Sequence, residues 1–153
     1  PAGDGNAEVV AESTVGMEAR LTYIQPHMHL RAKDYELRLI YPSGESQTVF
    51  KGKWDFNWQL GYTLKEPIVL PKGTRIVTIV HYDNSPNNKF NPDAQKTVFW
   101  GLQNWDEMQS SFLGFLIPSD SNVSRMLRPS GASLQPRPAA GAGPTLSMVD
   151  LPK

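Results

Sequence analysis

Two histidines separated by one residue are the clearest candidates for chemistry in this chain. His27 and His29 stand in the stretch QPHMHLRAK (25–33), and the whole chain holds three histidines. Residues i and i+2 of a β-strand point to the same face, so this pair would present two imidazoles to one ion. Imidazole pairs suit copper, zinc, iron or nickel. The competing interpretation is ordinary strand alternation with two hydrogen-bonded histidines. Pro26 is expected to limit a strand on its N-terminal side, which would place the pair where a strand begins.

A pair of imidazoles needs at least one further ligand to hold a metal ion, and the residue types leave several open. His81, the third histidine, lies near the end of the run RIVTIVHY (75–82). Carboxylates would suit zinc or iron, whereas a methionine thioether would select Cu(I). Met28 points to the opposite face of a strand from its two neighbours and is rejected. The remaining candidates are the carboxylates Asp34, Asp83, Asp106 and Glu107 and the methionines Met17, Met108, Met126 and Met148.

Composition limits the classes of protein to which the chain can belong. It has 153 residues, enough for one domain with a hydrophobic core. Lys plus Arg and Asp plus Glu both number 15, so the formal net charge is zero. A neutral chain without a basic run is not expected to bind nucleic acid, because that binding depends on neutralising phosphates. The absence of cysteine excludes disulfides, thiolate metal sites and cysteine nucleophiles. No apolar stretch approaches the ~20 residues of a membrane-spanning helix.

Strand patterns dominate the chain from about Val9 to Pro118. The run 75–82 is rich in β-branched residues, and DYELRLIY (34–41) alternates between apolar and polar positions. Further strands are predicted over 17–24, 47–54, 57–64, 96–102 and 108–117, with an edge strand and a turn over 66–74. No window of helical length has a clean 3.6-residue period. The chain is therefore expected to be all-β, an antiparallel β-sandwich.

Three segments are predicted along the chain. Residues 1–8 are small and polar and are expected to form a flexible N-terminus. Residues 9–118 are expected to form the sandwich. Residues 119–153 are rich in Pro, Gly and Ser, and PRPAAGAGP (136–144) cannot build a packed core, so an extended tail or linker is expected. Because the chain starts with a proline rather than a methionine, it is interpreted as a processed chain or a segment of a longer protein.

Other features have ordinary explanations beside functional ones. The four tryptophans are expected to fill a small core, although exposed indoles on a sandwich would instead suit a carbohydrate-binding module. The polar loop DNSPNNKFNPD (83–93) is expected to cap backbone groups through its Asx side chains, with calcium binding as the alternative. The segment GLQNWDEMQSSF (101–112) is a polar turn leading into an apolar strand, and Met108 could lie in the core there.

Three segments stand in a distinctive order along the chain: HMHLRAK (27–33), EPIVLPKGTRIVTIVHY (66–82) and NWDEM (104–108). This order resembles the C-terminal domain of the type II copper, ascorbate-dependent monooxygenases, the family of peptidylglycine α-hydroxylating and dopamine β-monooxygenases. The resemblance spans roughly residues 18–117. Together with DNSPNN (83–88), NWDEM is most similar to bacterial versions of the domain, which occur in larger multidomain chains. The resemblance implies a β-sandwich of the jelly-roll type.

The resemblance also implies a ligand set. One copper ion would be held by His27, His29 and Met108, the last preceded by Asp106 and Glu107 as in the family's Asp-Glu-Met sequence. Two imidazoles and a thioether suit Cu(I) and leave a coordination position open. In the family that position takes dioxygen, and a substrate C–H bond is attacked. The chain is therefore expected to be a mononuclear copper domain of a monooxygenase-like protein.

Departures from the family pattern narrow this expectation. Family enzymes carry a second copper, held by three further histidines of a preceding domain, whereas this chain has only His81 beyond the pair. The second site is therefore absent from this chain, and His81 is kept as a candidate extra ligand. Peptide-hydroxylating members have an arginine at the position of Gln25 and a tyrosine at that of Phe112. Both residues are expected near the substrate, and glycine-extended peptides are not expected as substrates.

The missing second copper implies a partner. Electrons would come from another domain or protein, such as a c-type cytochrome, in an extracytoplasmic (periplasmic or secreted) location. The alternative is a non-catalytic β-sandwich subunit or docking module of a larger extracytoplasmic assembly, with residues 118–153 running over a neighbour.

Overall fold

The computed structural model of the protein describes residues 1–129, which form β-strands and one short 3₁₀ helix, Val123–Arg125. In chain order the strands are β1 (Ala7–Val15), β2 (Ala19–Met28), β3 (Ala32–Ile40), β4 (Ser46–Lys53), β5 (Tyr62–Leu70), β6 (Arg75–Tyr82), β7 (Gln109–Leu116) and β8 (Leu127–Pro129). Within this described part of the chain, no helix is long and apolar enough to cross a membrane.

The strands form two antiparallel sheets packed as a sandwich. The large sheet has the strand order β4-β3-β6-β1-β8, and the small sheet has the order β5-β2-β7. Every pairing between neighbouring strands is antiparallel. This arrangement confirms the predicted all-β sandwich.

The core lies between the sheets and follows from strand alternation. On β3, Tyr35, Leu37 and Leu39 are buried at every second position, and Val80 on β6 is equally buried. Burying an aliphatic side chain of this size contributes about 1.5–3 kcal/mol each. The strands are therefore held by the apolar face that each presents inward.

A β-bulge in β2 decides which side chains of the small sheet face outward. The register of β2 shifts between Leu21 and Tyr23 against both of its neighbours. Before the bulge, the buried position is Leu21; after it, the buried positions are Ile24 and Met28. The inward positions thus change from odd to even numbers, and His27 points away from the core. Bulges commonly re-aim side chains in this way.

A glycine permits the bulge. A Cβ atom at Gly114 would lie 2.8 Å from the Cβ of Tyr23, closer than real side chains approach. The Thr22 hydroxyl donates a hydrogen bond of 3.1 Å to the Gly114 carbonyl oxygen, which ties the bulge to β7. Both strands therefore contribute to the bulge: Thr22 supplies a hydrogen bond, and Gly114 leaves room for Tyr23 because it has no side chain.

Pro26 does not limit the strand as predicted. β2 runs through Pro26 and ends at Met28, so the histidine pair lies where a strand ends rather than where one begins. The pairing of β2 with β5 stops at Ile24, which leaves one edge of β2 open at Pro26. A residue without an N–H is tolerated at such an edge.

Two predicted strands are wrong. Residues 57–61 form a loop, because the Trp58 N–H donates to the Asp55 carbonyl oxygen in a turn, and β5 starts only at Tyr62 and runs through the predicted edge segment. Residues 96–102 contain no strand; they contribute one isolated parallel bridge between Trp100 and Glu107. In both segments, apolar side chains suggested strands that the backbone does not make. The first strand, β1, was not assigned from the sequence, and it starts at Ala7.

The first part of the predicted tail returns to the sandwich. β8 pairs with β1, and Met126 is buried in the core. Pro129 stands opposite Ser13 on the outer strand of the large sheet, a position where proline occurs in sheets. The rest of the predicted tail, residues 130–153, lies outside the described residues.

Candidate metal centre

The three predicted ligands lie at the ends of two paired strands, β2 and β7, or directly beside those ends. On β2 and β7, His27 stands opposite Ser110, and Met28 stands opposite Gln109. Met28 and Gln109 form the last pair of this register, and His29 and Met108 are the next residues on the two chains. Directly opposed residues share a face of the sheet, with Cα atoms about 4.5–5.5 Å apart. His27 and Ser110 therefore share the outer face of the small sheet.

The two imidazole rings are close and differently oriented. Their centroids are 5.3 Å apart, and the ring planes cross at 87°. His29 is buried, whereas His27 is half-buried. Rings at this spacing can direct one nitrogen each toward a shared ion.

Hydrogen bonds select the tautomer of both rings. His27 Nδ1 lies 2.7 Å from Gln59 Oε1, and His29 Nδ1 lies 3.3 Å from the Asp106 carbonyl oxygen. Both oxygen atoms can only accept, so each Nδ1 carries the hydrogen and each Nε2 carries the lone pair. In each ring, Nε2 is therefore the nitrogen that could bind a metal ion. Histidines that bind metals commonly donate their other N–H to an oxygen in this manner.

The orientation of Gln59 is itself determined. Its Nε2 donates a hydrogen bond of 2.9 Å to the Phe56 carbonyl oxygen, which turns Oε1 toward His27. The loop of residues 57–61 thus supports the histidine from the neighbouring edge of the sheet. No motif in the sequence indicated this contact, because Gln59 and His27 are 32 residues apart.

The segment that carries Met108 is anchored at successive carbonyl oxygens. Arg31 Nη1 donates to the Trp105 oxygen at 2.7 Å, and the Tyr82 hydroxyl donates to the Met108 oxygen at 2.8 Å. Between them, the Asp106 oxygen accepts from His29. Arg31 and Tyr82 are both buried, so these anchors are shielded from water. The backbone at Met108 is thereby held in place beside the imidazoles.

Buried charge underlies this segment. The carboxyl group of Glu107 is buried, with one oxygen 3.6 Å from Arg31 Nη1. Burial raises the pKa of Glu107 to about 7, although the Arg31 charge opposes the rise. Burial also lowers the pKa of His29, and the Asp106 carbonyl opposes that shift. A lowered pKa favours the neutral imidazole, which is the form that binds metals.

Gln25 and Phe112 lie on the same outer face. They are directly opposed on β2 and β7, two pairs along from His27 and Ser110. The Phe112 ring is 58% exposed, and its centroid lies 6.3 Å from that of His27. The Tyr23 hydroxyl donates to Gln25 Oε1 at 2.9 Å and orients that amide. Both residues therefore lie on the face that carries His27, and their nearness to a substrate stays a prediction.

His81 lies away from this centre. It is on β6 in the large sheet, where its Nδ1 is 2.8 Å from Asp34 Oδ1 and its Nε2 is 3.3 Å from Glu8 Oε2. Both ring nitrogens are therefore engaged by carboxylates. The structure does not bring His81 or Asp34 to the pair.

The other methionines and acidic residues are accounted for elsewhere. Met28 and Met126 belong to the hydrophobic core, Met17 packs against it, and Met148 lies outside the described residues. No group of three or more His, Cys, Asp or Glu side chains suited to a metal ion occurs within residues 1–129. In the loop 83–93, Asp83 accepts from the Ser85 N–H, and the side chains bond to one another and to the backbone. The loop contacts match the predicted capping role.

The expectation that the tryptophans fill the core is wrong for three of the four. Trp58, Trp100 and Trp105 are 68%, 51% and 59% exposed, and Trp54 alone packs against the core. Residue type alone does not distinguish an exposed indole from a buried one, and the segments that carry Trp58 and Trp100 were predicted as strands.

Comparisons of this chain with protein-family models, with curated proteins and with solved structures find no match.

Proposed function

We propose that His27, His29 and Met108 bind one copper ion, through the two Nε2 atoms and the thioether sulfur, in a monooxygenase-like domain. One observation carries the proposal: both imidazoles donate Nδ1–H to oxygen, which leaves the Nε2 lone pairs for a metal ion. Met108 directly precedes β7, the strand that pairs with His27. Two imidazole nitrogens and one soft sulfur fit Cu(I) better than they fit zinc or calcium. When bound, copper would supply one-electron redox chemistry and a coordination position for dioxygen.

The residues of this chain have supporting roles in that function. Gln59 and the Asp106 carbonyl hold the imidazoles in the metal-binding tautomer. Phe112 and Gln25 border the open side, where a substrate would approach. The described part of the chain offers no second histidine cluster. Electrons would therefore come from a partner, for which an extracytoplasmic c-type cytochrome domain is our candidate.

Copper binding is tested by titration of the metal-free protein with Cu(I), followed by X-ray absorption. We expect one copper per chain, with nitrogen scatterers and one sulfur scatterer. Met108→Leu should remove the sulfur signal and weaken Cu(I) binding, because leucine keeps the volume without the thioether. Met17→Leu is the matched control, since Met17 packs against the core. Copper bound at less than one equivalent, or a sulfur signal that survives Met108→Leu, contradicts the proposal.

Redox function is tested separately. Oxygen consumption by the copper-loaded protein with ascorbate should exceed that of free copper bound to a chelator, and it should fall in His27→Ala. Stoichiometric copper with no oxygen consumption under any electron donor would instead support the non-catalytic module.

A further inference from the structure

Exposed tryptophans flank the candidate centre on two loops. Trp58 directly precedes the residue whose amide oxygen faces His27. Trp105 directly precedes the residue whose carbonyl faces His29. The two imidazole rings are 5.3 Å apart, so both loops contact the same site. Large exposed aromatic side chains near a site are typical of a binding surface.

The stretches around these indoles contain no Lys or Arg, and the charged residues nearest to them in sequence are Asp55 and Asp106. Residues 56–64 (FNWQLGYTL) and residues 97–105 (TVFWGLQNW) lack Asp, Glu, Lys and Arg, although charged residues make up 20% of the chain. A surface that binds nucleic acid or an anionic membrane would need Lys or Arg. A protein partner whose approach is guided by electrostatic attraction would also need a charged patch on this surface. The composition therefore favours an uncharged ligand.

Free amide groups accompany the indoles. Asn57 adjoins Trp58, and Gln103 and Asn104 precede Trp105. All three are exposed, and their side-chain amides make no hydrogen bond to another residue within 1–129. An amide can both donate and accept, so it can pair with a hydroxyl group in either direction. Flat apolar rings next to neutral amides match the surface of a sugar, which presents C–H faces and hydroxyl edges.

We propose that Trp58 and Trp105, with these amides, bind an uncharged polysaccharide chain that passes over the face carrying His27 and His29. The indoles would stack on the C–H faces of sugar rings, and the amides would bond the hydroxyls. The surface itself does not depend on copper; only the identification of the polysaccharide as a substrate rests on the proposed function. If the copper proposal holds, the substrate class of the centre is an uncharged polysaccharide.

Binding is tested on metal-free protein with four probes: cellulose, chitin, xylan and starch. We expect retention on at least one. Trp58→Ala and Trp105→Ala should each weaken binding to that probe about tenfold, and the double variant about a hundredfold, because the two side chains act on different loops. Phe90→Ala is the matched control, since Phe90 is an exposed aromatic residue on another loop. Thermal unfolding should not change in these variants, because the replaced side chains are exposed.

The position of the bound polysaccharide is tested by chemical modification of histidines with diethylpyrocarbonate, followed by peptide mass analysis. Bound polysaccharide should slow the modification of His27 severalfold and leave that of His81 unchanged, because His81 lies on the other sheet. Equal rates at His27 with and without the polysaccharide contradict the placement.

Failure of this proposal is distinguishable from failure of copper binding. Met108→Leu should lose tight Cu(I) binding and keep polysaccharide retention. No retention on all four probes overturns the proposal, as does binding that the double tryptophan variant leaves intact. Retention on uncharged vesicles or on a protein partner, without retention on a polysaccharide, also overturns it.

Discussion

Replacing Gln59 with leucine tests whether the support of His27 matters for the metal. The substitution keeps a side chain of similar size and removes the oxygen that lies 2.7 Å from His27 Nδ1. Without that acceptor, the imidazole is free to exchange tautomers, and its Nε2 no longer carries the lone pair permanently. Loss of such a partner typically weakens metal affinity by about 10–100-fold. We expect Gln59→Leu to weaken Cu(I) binding within this range.

Two measurements separate the effect on the ring from a general loss of stability. In metal-free protein, ¹⁵N chemical shifts should report an Nδ1–H tautomer for His27 and a mixture in Gln59→Leu. The lost hydrogen bond should cost about 1 kcal/mol of unfolding free energy, which lowers the melting temperature by roughly 2–4 °C.

Controls for this variant come from the same residue type. Gln95→Leu removes an exposed glutamine on another loop and should leave Cu(I) affinity unchanged. Gln59→Glu keeps an acceptor oxygen and should restore the Nδ1–H tautomer. An unchanged affinity in Gln59→Leu, or the Nε2–H tautomer in the parent protein, would refute the reasoning.

Further predictions concern the bulge and a charge cluster. Gly114→Ala should destabilise the fold by about 1–3 kcal/mol in urea unfolding, because its Cβ would lie 2.8 Å from that of Tyr23. Gly52→Ala is the control, since a Cβ there would meet nothing closer than 3.7 Å. Equal losses of stability in the two variants would contradict the steric argument. The hydrogen bond from Lys51 lowers the pKa of Glu36 below its ordinary value of 4.5. The stabilisation from this carboxylate is therefore present above that pH and is lost as the pH falls through the folded pKa. Glu36→Gln should therefore flatten the fall in the urea midpoint between pH 5 and pH 2, and an unchanged profile would show that the cluster contributes nothing.

The sandwich was predictable because its strands have either a period of two, as in β3, or a run of β-branched and apolar residues, as in β6. The run 75–82 was predicted as a strand with the same bounds as β6, since nearly every residue in it is β-branched or apolar. The loops 57–61 and 96–102 were not predictable by the same means. Their aromatic side chains are exposed beside the candidate site, so apolar composition there does not indicate burial.

The candidate site also has a part that the sequence indicates and a part that it does not. That His27 and His29 share a face follows from local geometry, and the resemblance indicated Met108. The contacts that orient them, from Gln59 and Tyr82, join residues 32 and 26 positions apart. Contacts between residues so far apart in sequence depend on how the strands pack. A local pattern of residues does not predict that packing.

The bulge in β2 has a consequence for how chains of this kind can vary. His27 follows Leu21 by six positions, an even separation that in a regular strand would turn the imidazole toward the core with Leu21. The extra residue shifts the phase of the strand by half a period, and His27 faces outward. Deleting one residue between them would preserve nearly all of the composition and bury the imidazole instead. The number of residues between Leu21 and His27, more than the types of those residues, therefore decides whether a metal site on this sheet faces solvent.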